Sequence, residues 1–126
     1  MRRIFGVVCL GLLSATGLFS TAEAGDLFGE WARGDGAAQV RIEPCGASIC
    51  AINTWIKDPA GQREQVGDRL IFDIAQKQDT WTGTAYDPQR KLKLTAEIKS
   101  SGGDSLESKG CVLGGLVCRT SSWKRR

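Results

Sequence analysis

The stretch KLKLTAEIK, residues 91–99, alternates polar and apolar side chains over its whole length. Successive side chains of an extended strand point to opposite faces. Leu92, Leu94, Ala96 and Ile98 therefore share one face, and Lys91, Lys93, Thr95, Glu97 and Lys99 the other. AQVRIE (38–43) repeats the pattern, with Val40 and Ile42 opposed to Gln39, Arg41 and Glu43. Three further runs, ICAINTWI (49–56), DRLIFDIA (68–75) and TWTGTAY (80–86), are rich in β-branched and aromatic residues. LFGEWAR (27–33), DSLESKGCV (104–112) and LVCRTSSWK (116–124) bring the set to eight. Turn formers punctuate the series: GDG at 34–36, DPAGQ at 58–62, DPQR at 87–90 and SSGGD at 100–104. With no heptad, long helical stripe or internal repeat, the expectation is an all-β fold. Its form is a small antiparallel up-and-down β-barrel of about eight strands, since closure removes exposed edges. An open sandwich is the second reading.

The first residues set the context. Arg2 and Arg3 precede an apolar run from Ile4 to Phe19, and Ala22 and Ala24 fit an A-x-A cleavage site. A spanning helix needs about 20 apolar residues; this run is shorter and carries Gly6, Gly11, Ser14 and Gly17. The expected organisation is a signal peptide over 1–24 and a single β-barrel domain over 25–126. The expected location is periplasmic or secreted, without stable membrane insertion after cleavage.

Cys9 falls in that leader, which leaves Cys45, Cys50, Cys111 and Cys118. An even number in a small exported chain points to disulfides. A zinc knuckle lacks support, because histidine is absent and neither pair has two-residue spacing. CVLGGLVC (111–118) reads almost alike in both directions. Either a Gly114-Gly115 turn or a four-residue loop from Leu113 to Leu116 sets Cys111 opposite Cys118, within disulfide reach. CGASIC (45–50) brackets a four-residue hairpin loop in the same way, so the expected bonds are Cys45–Cys50 and Cys111–Cys118.

Charge and chemistry exclude more than they suggest. Without Arg2, Arg3 and Glu23, the 17 basic and 14 acidic residues become 15 and 13, a net charge of +2. Nucleic-acid binding needs a concentrated basic face, and the one basic cluster, Lys124 to Arg126, reads as a solvated tail. No histidine is present for acid–base work, no G-x-S-x-G elbow appears, and the acidic residues are scattered singly. Asp87-Pro88 reads as a turn initiator. The chain is thus expected not to be an enzyme, to use no cofactor or metal, and to be a monomer.

GEW near residue 30, IEPCGASIC, TGTAYDP, GCVLGGLVC and a final tryptophan followed by basic residues resemble the bacterial domain of unknown function 2147 family. The resemblance runs from about Leu27 to Arg125. It implies an exported envelope protein with a small lipocalin-like (calycin-type) barrel, and implies no activity. Many relatives have a long Asp/Asn/Pro-rich loop after the third strand, where this chain has only Asp58 to Gly67. Gly29-Glu30-Trp31 is also similar to the lipocalin opening. That likeness implies that Trp31 plugs one barrel end under an arginine of the last strand, with Arg125 favoured over Arg119.

Two non-enzymatic classes remain. One is a barrel that holds a small apolar or amphipathic ligand. The other is an envelope module that binds a protein, as an inhibitor or otherwise, or cell-wall material through its loops or an outer face. Trp55, Trp81 and Tyr86 are the candidate contacts. Trp55 and Tyr86 would mark an outer surface if exposed, and otherwise pack on a neighbouring strand. With Trp31, Phe72, Trp81 and several leucines to place, the interior of so small a barrel is expected to be filled. A cavity would favour the ligand class, a filled barrel the interaction class.

Overall fold

Alternation sorts the side chains of each strand between a lumen and an outer wall, and eight such strands close on themselves. The computed structural model describes residues 26–126, so the leader reading at residues 1–24 lies outside the described residues. The strands are β1 (Gly29–Arg33), β2 (Ala38–Cys45), β3 (Ser48–Ile56), β4 (Arg69–Lys77), β5 (Thr80–Asp87), β6 (Leu92–Ser100), β7 (Ser105–Val112) and β8 (Val117–Arg125). Each pairs antiparallel with the next, and β1 pairs with β8, which completes an up-and-down barrel. The open sandwich is thereby excluded.

All seven links between neighbouring strands are hairpins, and their turns alternate between the two ends of the barrel. At one end the lumen is packed by Leu27, Trp31, Trp81, Ile98 and Leu106, with Phe28, Phe72 and Trp123 against them. At the other end lie the β3–β4 loop, the β5–β6 turn and the β7–β8 loop. Between Gln39 and Val40 the β2–β3 register slips, and Thr54 is the extra residue of the resulting bulge.

The two cysteine hairpins differ. In β7–β8, Cys111 stands directly opposite Cys118 with Cα atoms 4.1 Å apart. Of the two registers open to the palindrome, the structure takes the four-residue loop: Val112 pairs with Val117, and Leu113–Gly115 form a single 3₁₀ turn. Gly114 and Gly115 take φ of +66° and +94°, a region where a side chain is strained.

In β2–β3 the expected four-residue loop is corrected. Cys45 pairs with Ser48 across a two-residue Gly46-Ala47 turn, and Cys50 lies opposite Glu43. Gly46 supplies the positive φ, +65°, that the first position of such a turn requires. The Cys45–Cys50 bond therefore runs diagonally across the outer wall, with a Cα separation of 5.7 Å.

Candidate functional site: an open-ended lumen

The barrel is not filled. A cavity of about 870 Å³ runs from the packed end to the far mouth. The expectation of a filled interior fails because the bulky inward residues, Trp31, Trp81 and Trp123, gather at the packed end. Between and beyond them, the small lining residues Ala51, Ala96, Ser108, Gly110 and Ser121 project little into the lumen. Trp31, Ile42, Phe72, Leu94 and Ile98 give the cavity an apolar wall. The Trp123 indole donates to Ser108 Oγ at 2.9 Å, so its polar atom is satisfied within that wall.

The closed end is a layered plug. Trp31 is fully buried, and its Nε1 donates to the Leu27 carbonyl at 2.9 Å. The Arg125 guanidinium lies over its ring, 4.3 Å from the centroid. Arg125 also donates from Nη1 and Nη2 to the Phe28 and Asp26 carbonyls, each at 2.9 Å. Glycine at position 29 has a double cause. Its φ is +128°, and a Cβ there would stand 2.9 Å from Arg125 Nη1. The arginine over Trp31 is thus Arg125, and Arg119 does not belong to the plug: it lies too far up β8, beyond the reach of β1.

The mouth is polar and internally paired. Asp87 Oδ1 accepts from the Gln89 and Arg90 backbone amides at 3.0 and 3.1 Å, which is the Asp-Pro turn read from the sequence. Its Oδ2 accepts from Arg90 Nη1 at 3.0 Å. Arg90 Nη2 reaches Asp68 at 3.1 Å and also donates to the Arg63 carbonyl. Arg33 binds Asp35 at 3.0 Å and Glu64 at 3.3 Å. These contacts hold the β3–β4 loop, residues 57–68, across one side of the mouth.

Burial alone would push the Asp87 carboxyl up, but the bonds from Arg90 and Gln89 outweigh it and hold it below the usual carboxylate range. Arg90 is raised in return, chiefly by its bond to Asp87. For Arg33, burial acts downward and is overcome by Asp35 and Glu64, for a net rise.

The remaining candidates separate. Trp81 is 3% exposed and belongs to the packed core. It does not line the cavity, and burial also removes it as an outer contact. Trp55 and Tyr86 are 43% and 42% exposed and point outward, away from the lumen. Cys45, Cys50, Cys111 and Cys118 form the two local disulfides. Arg119 lines the cavity. Sequence reasoning missed the paired set of Arg33, Glu64, Asp68 and Arg90; the only signal was the DPQR turn, which says nothing of its distant partners. Among the described residues, no three His, Cys, Asp or Glu side chains converge as metal ligands would.

A closed eight-stranded barrel with one plugged end and one open apolar lumen defines a small cavity-bearing β-barrel protein. Residues 29–125 match the family described as an uncharacterized protein conserved in bacteria, DUF2147, and the chain belongs to that family. No curated protein matches it. Among solved structures it is similar to a redesigned β-barrel at 16% identity and a TM-score of 0.54, covering 82% of this chain and 95% of that one. That likeness concerns the fold alone. Two disulfides fit a non-cytoplasmic setting. Among the described residues, no helix is long and apolar enough to cross a membrane.

Proposed function

We propose that this protein is an exported, non-enzymatic binder that carries one small apolar or amphipathic molecule in its lumen, in the manner of lipocalin-like barrels. The observation that carries the reading is the cavity itself. About 870 Å³ lies within the range of ligand sites, roughly 300–1,000 Å³. Its wall is mainly apolar and one end is plugged, so the apolar part of an occupant would be withdrawn from water. The periplasm is the proposed compartment, from the leader pattern at residues 1–24 and the two disulfides. Intact mass of the periplasmic protein should begin at Gly25; a membrane-bound form retaining residues 1–24 would contradict export.

The neutral dye N-phenyl-1-naphthylamine tests the lumen, because its fluorescence rises in an apolar site. It should bind with one-to-one stoichiometry, and Ala51→Phe, which projects a ring into the cavity, should weaken it at least tenfold. Trp55→Ala and Tyr86→Ala, on the outer wall, should leave it unchanged. Absence of dye binding by the folded protein would favour the second reading, an interaction or inhibitor module. The exposed Trp55 and Tyr86 are the observation behind that alternative.

A further inference from the structure

We infer that the lumen selects amphiphiles with an anionic head, and that Arg119 is the residue that receives that head. The inference rests on the lumen being a ligand site and adds the charge of its occupant.

Arg119 faces the lumen by register. It stands opposite Gly110, between the inward pairs Val112–Val117 and Ser108–Ser121. The inner face is identified by Gly110, where a Cβ would stand 2.9 Å from Cδ1 of Leu94, a cavity-lining residue. Because Gly110 has no side chain, Leu94 can pack against its backbone there, and Arg119 has an apolar neighbour on the inner face.

Charge balance and register together single the residue out. Among the described residues Arg63, Arg69 and Lys109 also line the cavity without an ion pair. Arg63, however, lies in the β3–β4 loop, and Arg69 and Lys109 precede the inward Leu70 and Gly110 and so alternate to the outer face. Glu64 is taken by Arg33, and Asp68 and Asp87 are taken by Arg90. Arg125 is spent on the plug at the other end. Arg119 lines the same cavity and, among the described residues, makes no ion pair or side-chain hydrogen bond. It keeps its charge cheaply because water reaches it. β1 covers β8 only over Trp123–Arg125, extended by the Gly34 amide on the Ser122 carbonyl, which leaves Val117–Ser121 uncovered on that side.

A cation with five donors and no protein partner, set at the top of an apolar well, matches a carboxylate or similar anion whose tail descends toward Phe72 and Ile98. A cationic head would meet the unneutralised guanidinium, and a neutral head would gain no ion pair.

Displacement of N-phenyl-1-naphthylamine by dodecanoate, dodecanol and dodecylamine, all below micelle formation, reads the head group at constant tail. Dodecanoate should compete about fivefold better than dodecanol, the scale of one solvent-exposed ion pair, and dodecylamine should be the weakest. The preference should shrink in high salt on the unmodified protein, a measurement that depends on no variant. Arg119→Gln should abolish the preference while leaving dodecanol displacement unchanged. Arg119→Lys should retain part of it, and Lys93→Gln, which removes the same charge from the outer wall, should retain all of it. Equal displacement by dodecanoate and dodecanol, or a preference untouched by Arg119→Gln, would overturn the assignment while the lumen reading stands. A folded protein that binds neither dye nor amphiphile would overturn both.

Discussion

Trp31, Gly29 and Arg125 form one energetic unit: the indole fills the barrel end, the arginine seals it, and the glycine makes room for the arginine. Trp31→Ala should therefore cost roughly 3 to 5 kcal/mol in urea unfolding, the scale for deleting a buried aromatic. Arg125→Met should cost less, about 1 to 2 kcal/mol, because cation–π contacts at partly exposed sites are modest. Comparable losses for the two would mean that the plug depends on the carbonyl bonds more than on packing. At the mouth, Asp87 makes stability depend on acid. Its folded pKa lies below the unfolded value of about 3.9. Its contribution is therefore whole above that value and disappears as pH falls through the folded pKa. Thermal melts should show no Asp87-linked change from pH 8 to about pH 5, then a decline below about pH 4 that is shallower in Asp87→Asn. Asp35 is lowered as well, by the Ala37 amide and then Arg33, and adds to the slope in both proteins.

At the scale of strands and turns, much was legible because the information is local. The alternation of Leu92, Leu94, Ala96 and Ile98 reports a face with no knowledge of a partner strand, and the eight runs fall on the eight strands. The cysteine pairings were legible for the same reason, since each closes across its own turn. The turn at Gly46 was misread because a diagonal bond and a directly opposed one demand the same spacing within a residue or two. The mouth was hidden. Arg33 and Glu64 are 31 residues apart, and Arg90 and Asp68 are 22 apart, so only the folded loop brings them together. Cavity volume was hidden too, because it depends on where along the axis the tryptophans settle. Each disulfide closes a short loop, worth about 2 to 2.5 kcal/mol in the chain-entropy treatment. Replacing either pair by serines should lower stability by about that amount and leave far-ultraviolet circular dichroism unchanged. A peptide map joining the 45–50 region to the 111–118 region would contradict local stapling.

For the molecule as a whole, closure depends on a single pairing unlike the rest. Seven of the ladders join strands adjacent in sequence and can zip outward from a turn. The eighth, Trp31 with Arg125 and its two neighbours, joins the ends of the barrel through only three residue pairs. Loop-closure entropy is met before such a distant contact returns anything. The hoop should therefore fasten late, after the transition state has formed from the hairpins β2 to β8. A clasp made late has a kinetic signature. Arg125→Met should speed unfolding by nearly its whole equilibrium effect and leave the refolding rate almost untouched, a φ-value near zero. A stopped-flow chevron in which the refolding arm falls instead would make this clasp part of the nucleus. With the late clasp, amides of β1 should exchange with solvent ahead of those of β5 and β6, the barrel's lifetime as a closed vessel being set by its shortest ladder.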